Sequence, residues 1–464
     1  MSSSAGTVTP QSSGGRLARV ASLVRATEID VRLFGMVLAL VVIFLGFGAI
    51  TNGRFLSAIN LLTMSVQAAS VAILATGMVL IIVSRNIDLS VGSVVGIIAM
   101  TYAVLMHEVY PTTIGVDTAY GWLLALAIGL ALGVLIGAVQ GFIIAYIGVP
   151  SFVVTLGGLL IFRGMVWVIS GGATQAPNDK QFGVMAGGPE GSLGGLLSWA
   201  LGVVICVAIV LLIIYARRQR RRFNFPVRPM WAEVLIGGIG AAVTLGGVFV
   251  ANSYKWPQGL VDRYVREQPG FVVPPGGIDS GIPWPIVMLL AVTVLMTILA
   301  TRRRFGRYVF AIGGNPEAAE LGGINTRWTV MKTYILMGVL CAISAAITSA
   351  RLNGASNDAG QGYELYVIAA AVIGGTSFAG GIGTISGAVL GAMVMYTLKY
   401  GLSFIGLASP IQDIVAGIVL IIAVGFDTIN RRRVRCPAPR RPRSSRCATS
   451  PSRSEAFTQS STRR

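Results

Sequence analysis

Twelve stretches of almost uninterrupted apolar residues divide the chain, at 31–50, 61–83, 91–105, 122–146, 152–169, 197–215, 231–251, 284–301, 330–350, 365–378, 382–400 and 411–426. The hydrocarbon core of a bilayer is about 30 Å thick, and an α-helix crosses it with roughly 20 apolar residues. Most of the stretches meet that length, so the expected fold is an all-α polytopic membrane protein. The two that start at Val91 and Leu365 are short. Re-entrant or broken helices are expected there, and the number of crossings is expected to lie between ten and twelve. With 54% hydrophobic residues and a mean hydropathy of +0.74, the chain has more apolar surface than a water-soluble core could use.

A net charge of +18 would suit a nucleic-acid ligand if it were gathered on one folded surface, but much of it is not. Residues 428–464 hold eleven arginines against Glu455, leaving +10 in a Ser/Pro/Arg-rich segment with few apolar residues. Such a segment is expected to be a disordered tail, and beside a membrane its partner is anionic lipid. Residues 1–30, rich in Ser, Gly and Thr, are expected to form a second disordered tail without a signal-peptide pattern. The region between them, 31–427, holds all twelve apolar stretches.

Lys and Arg in short loops mark the cytoplasmic side of a membrane protein. The runs at 217–222 (RRQRRR) and 302–307 are therefore cytoplasmic, and counting outward places 106–121, which has neither residue, outside. Both termini fall in the cytoplasm. Arg54, Lys180, Lys255, Arg263 and Arg266 land on the outer side, most of them accompanied by Asp179, Asp262 or Glu267.

Cys206, Cys341, Cys436 and Cys447 have no metal-type spacing, and the lone His107 has no neighbours that would make it a ligand. No catalytic residues, metal site or cofactor are expected. Glycines recur every fourth residue at Gly129, Gly133, Gly137 and Gly141, and again at Gly383, Gly387 and Gly391. In lipid this spacing lets helix backbones approach closely, which is a packing signal.

Two polar stretches stand out. The first, 302–328, reads RRRFGRYVFAIGGNPEAAELGGINTRW between apolar segments. Asn315 can cap a helix whose first turn holds Pro316 and Glu317, and Gly322 and Gly323 can stop it. A helix of about two turns spans only about 9 Å, with Ala318, Ala319 and Leu321 free to dock. On composition alone this could equally be a capped surface turn.

The second stretch, 84–93, reads SRNIDLSVGS. Asp88 or Ser90 can cap the helix beginning near Val91. The other reading is a break in the membrane that offers Asn86, Asp88 and Ser90 to a small polar solute, as transporters do at interrupted helices.

Glu317-Ala318-Ala319 followed after three residues by Gly323 resembles the coupling-helix signature of ABC importer permeases, and IDLSVGS resembles the signature of ribose- and xylose-type sugar permeases. Gly141 to Ile144, then Pro150 to Gly157 (PSFVVTLG) with Thr155, and Arg163-Gly164 resemble further motifs of that family in the same order. So does AAAVIGGTSFAGGIGTISG at 369–387, and the resemblance covers about 35–430. Gln140 departs from an asparagine common in the family. An added basic loop with an extra pair of spans between Arg217 and Pro283 resembles the longer xylose-type permeases.

The resemblance implies a type II-like ABC importer permease fold. It implies an ATP-binding subunit that grips Asn315, Glu317, Ala318, Ala319 and Gly323, a sugar-binding protein outside, and a homodimer. The substrate pathway would include Asn86, Asp88, Ser90, Gln140 and Thr155, and the cargo would be a monosaccharide, a pentose such as xylose, carried across a bacterial inner membrane. The chain has no Gly-x-x-x-x-Gly-Lys-Ser/Thr loop, so hydrolysis would belong to the partner. Two alternatives stand beside this reading. One is a stand-alone secondary transporter or channel with Asp88 binding a coupling ion. The other is an ABC permease for an autoinducer, a nucleoside or a branched-chain amino acid.

Overall fold

The computed structural model describes residues 31–115, 117–267 and 273–435. The tail expected at 1–30 lies outside the described residues, as does 436–464 of the Arg-rich tail expected at 428–464, whose residues 428–435 are helical rather than disordered. The described residues form helices: α1 (Val31–Ile50), α2 (Ala58–Val83), α3 (Val91–Val104), α4 (Gly121–Phe142), α5 (Ser151–Ser170), α6 (Gly195–Arg222), α7 (Met230–Ser253), α8 (Gln258–Glu267), α9 (Trp284–Thr301), α10 (Arg304–Gly314), α11 (Pro316–Leu321), α12 (Thr326–Leu352), α13 (Tyr363–Ile373), α14 (Ile385–Phe404) and α15 (Ser409–Arg435). By internal contacts the chain separates into residues 1–424 and 425–464.

Among the described residues, ten helices are long and apolar enough to cross a membrane, and the apolar parts of α13 and α15 are shorter. The chain is thus an all-α, multi-pass membrane protein. Helices apolar enough to cross a membrane can either face lipid or be enclosed by other helices, and α2 is enclosed. Every residue from Ala68 to Val83 is buried, and α9, α12, α13 and α14 pack against it. Helices α1, α6 and α7 leave large apolar side chains such as Leu45, Leu212 and Val243 exposed, as lipid-facing helices should.

The glycine repeats lie where backbones touch. A Cβ on Gly133 would stand 2.3 Å from the Gly338 carbonyl oxygen, and one on Gly137 2.3 Å from that of Tyr334, so α4 and α12 meet backbone to backbone. Gly387 and Gly391 bring α14 equally close to the carbonyls of Gly374 and Ala370 at α13. Gly383 precedes α14 and packs against the side chains of Val79 and Val83 instead.

Two expectations change, and one between them holds. The segment at Val91 is not short: a wider π turn at Leu105–Val109 carries α3 on through Tyr110–Thr113. His107 and Glu108 interrupt the hydropathy there without interrupting the helix. The segment near Leu365 is short, with α13 spanning about 16 Å for its 11 residues. Finally, among the described residues only one spanning helix, α7, lies between Arg217 and Pro283. Its packing partner α6 begins before Arg217, and α8, with 10 residues and four charges, is too short and too polar to be the second span.

Most of the basic residues expected outside have acidic partners. Arg263 pairs with Glu267 at 2.9 Å, Lys180 with Asp117 at 3.9 Å, and Lys255 with Asp279.

Candidate functional site

The two polar stretches form two sites of opposite character that touch one another. The first begins where α2 ends. The Arg85 and Asn86 amides return to the carbonyls of Ile82 and Ile81, which is the Schellman closure. Arg85 therefore adopts φ +64°, a conformation that usually selects glycine because a Cβ is strained there. Asn86 then bonds locally, its Nδ2 donating to the Ser84 carbonyl at 3.0 Å and hydroxyl at 3.1 Å.

Beyond it the turn is buried. The Ser90 amide and hydroxyl donate to Asp88 Oδ1 at 2.9 and 2.7 Å, and Gln140 Nε2 of α4 donates to the Ser90 hydroxyl at 2.9 Å. Amide, hydroxyl and carboxylate thus form one directed chain. Asp88, Ser90, Gln140 and Thr155 are all buried.

Ser90 occupies the N-cap position of α3, but its hydroxyl makes no capping bond. That proton goes instead to the buried Asp88 carboxyl group. The capping expected of Asp88 or Ser90 is therefore replaced by a local bond, from Ser90 back to the carboxyl two residues before it.

Neighbouring helices hold the turn through Ile87. Its amide donates to Ser151 Oγ of α5 at 3.3 Å, and its carbonyl accepts from Tyr334 of α12 at 3.3 Å and, at 3.4 Å, from Thr155. Gly158 leaves room for Gln140, since a Cβ there would lie 2.5 Å from Nε2. Of the five pathway residues expected from sequence, Asp88, Ser90 and Gln140 are joined directly, Thr155 joins through Ile87, and Asn86 stands at the edge.

The second site is α11. Asn315 Oδ1 accepts from the Ala318 amide at 3.1 Å, with Pro316 in the first turn. Gly323, at φ +81°, ends the helix, and its amide donates to Glu320. Glu317, Ala318 and Leu321 are exposed, Leu321 by 90%. Ala319 is instead buried, turned in toward the α10 and α12 helices that flank α11. The surface open to a partner is therefore Asn315, Glu317, Ala318, Glu320, Leu321 and the glycines, with Ala319 as the packed foot. A second cap, Asn325 Oδ1 to the Trp328 amide at 2.9 Å, starts α12 immediately afterwards.

Sequence reasoning missed Arg85. Its Nε donates to the Gly313 carbonyl at 2.8 Å and its Nη2 to that of Gly314 at 2.7 Å. The only signal was a single arginine between two apolar runs. The polar loop at Asn353 and Asn357 is tied to the segment that follows α5. Asn357 accepts from Ser170 and donates to the Gly172 carbonyl, and Asn353 accepts from the Asn178 amide. Arg163 donates to the carbonyls of Asn357 and Ala359.

At the far end of α12 from α11, roughly 40 Å along its 27 residues, is a cavity of about 640 Å³. Tyr110, Asp117, Asn178, Lys180, Glu190 and Arg263 are among the residues that line it.

A bundle of membrane-crossing helices with a buried polar break and a capped helix presented at the surface defines a transport permease. The chain belongs to the family described as the branched-chain amino acid transport system / permease component, whose model matches residues 60–424. It is 34% identical to the xylose transport system permease protein of Haemophilus influenzae, over 88% of this chain and 99% of that one. To the corresponding Escherichia coli K12 protein it is 35% identical, over 88% of this chain and 94% of that one. The galactose/methyl galactoside import permease of E. coli K12 is 27% identical, over 86% of this chain and 95% of its own length. No solved structure matches the chain.

Proposed function

We propose that this chain is the membrane-spanning permease subunit of an ATP-driven importer for a monosaccharide, a pentose such as xylose, in a bacterial inner membrane. The observation that carries this reading is the similarity to two xylose permeases over nearly their whole length. The family's name points to amino acids, but the relatives described above are sugar permeases.

The chain contains no phosphate-binding loop, so a separate ATP-binding subunit supplies the energy by gripping α11 at Asn315, Glu317, Ala318 and Gly323, with Ala319 fixing the helix to the bundle. A sugar-binding protein delivers cargo at the opposite face, where the 640 Å³ cavity opens, and two copies of the chain frame the pathway. Both termini and α11 lie in the cytoplasm, with the exposed Arg302, Arg303 and Arg304 marking that side. Asp88, Ser90, Gln140 and Thr155, with Asn86 at the edge, form the polar break along the route.

Membrane vesicles test this. Uptake of labelled xylose that needs ATP and the partner subunit, and continues with an ionophore present, is the expected result. Uptake that ignores ATP and collapses with the ionophore would make Asp88 the ion site of a secondary carrier and overturn the proposal.

A further inference from the structure

The two sites are connected, and the connection is short. Arg85 lies three residues before Asp88, and the carbonyls it holds belong to the residues immediately before Asn315, the cap of α11. Helix α10 ends at Gly314, so the guanidinium sits on the last carbonyls of a helix, where a cation and a fork of donors are both favoured.

The junction is packed to contact. A Cβ on Gly313 would fall 1.8 Å from the Val83 carbonyl oxygen, and that same oxygen accepts from the Gly381 amide at 3.0 Å. On the other flank of α11, α12 reaches the same turn through Tyr334 and the Ile87 carbonyl. The turn at 85–88 is thus held from both helices that bracket α11.

The backbone adds a second argument. At φ +64° a glycine would close α2 with less strain than arginine does. Closure of α2 alone therefore does not account for this side chain, whereas the reach to α10 does.

We infer that Arg85 is the positioning residue that transmits displacement of α11 to the buried Asp88–Ser90–Gln140 chain. The inference rests on the reading of α11 as the helix gripped by an ATP-binding subunit. A push on α11 shifts the α10 terminus, the fork carries that shift into the α2 terminus, and the Asp88 turn moves against α4 and α5.

The test uses the full complex in proteoliposomes, with labelled xylose and ATP, comparing wild type with Arg85→Gly and Arg85→Lys. Because glycine suits the backbone at this position, Arg85→Gly should insert and melt as wild type and still co-purify the ATP-binding subunit. Xylose transported per ATP hydrolysed should fall at least tenfold. Lysine reaches one carbonyl without forming the fork and should restore less than half of the ratio.

An unchanged ratio in Arg85→Gly, full rescue by lysine, or loss of folding or of the ATP-binding subunit in Arg85→Gly would overturn the inference, the last two by making the residue structural. If wild type itself transports without ATP, the reading of α11 fails, and that outcome is distinct from all of these.

Discussion

The buried turn at 84–90 and the surface helix α11 are both short polar interruptions between apolar helices, yet they are held by different kinds of bond. In α11 the bonds that start and stop the helix are local, from Asn315 to Ala318 and from Gly323 to Glu320. In the turn, local bonds such as Ser90 to Asp88 are joined by long-range ones, with Gln140 donating to Ser90, Ile87 to Ser151 and Tyr334 to Ile87. A locally closed helix can present its outer face to a partner without cost to the bundle. The turn is made by the bundle, so a change in one cannot leave the other as it was. A part that receives force should be of the first kind, and a part that gates should be of the second.

That contrast can be broken by substitution. Ala319→Pro removes the amide that bonds the Asn315 carbonyl and should disrupt α11 at a local cost of about 3 kcal/mol. Transport is expected to disappear while the chain remains in the membrane, as read by uptake and by immunoblot of membranes. Retained transport would show that α11 is not the lever.

Ser90→Ala strips the hydroxyl from between Gln140 and Asp88, leaving a buried amide and carboxylate each short of a partner. Loss of about 1–3 kcal/mol is expected, seen as a lower melting temperature in detergent together with weaker uptake. A variant as stable as wild type would mean that the turn is solvated, and the comparison would lose its basis.

Asn315→Ala removes only the cap, worth about 1 kcal/mol. It should fray α11 and weaken co-purification of the ATP-binding subunit severalfold without moving the melting temperature of the bundle. Smallest of all in stability is Glu317→Gln, at an exposed position, which should change it by no more than about 0.5 kcal/mol yet abolish transport. Normal uptake by Glu317→Gln would remove this carboxylate from the partner's grip.

The same contrast explains what could be read before the fold was known. Asn315, Pro316 and Gly323 announced α11 because capping acts within four residues of chain. The glycine repeat at 129–141 announced a packing face, although not that α12 was the partner. The turn at 84–90 was visible as a polar interruption, but its wiring was not: Ser90 and Gln140 are 50 positions apart, and Arg85 and Gly313 are 228 apart. Val91 was taken for the start of a short segment because hydropathy counts His107 and Glu108 against a span, whereas a helix needs only its backbone bonds.

The sequence by itself determined that this protein lives in a membrane as a bundle of helices, and that a two-turn helix sits near position 317. Apolar length, charge and caps are properties of neighbouring residues. Tertiary structure alone decided that Ala319 faces inward, that Gln140 donates to Ser90, and that Arg85 joins the surface helix to the interior. Each of these depends on which distant backbone or side chain arrives within about 3 Å, and hydrogen bonds at that range are set by packing rather than by position along the chain.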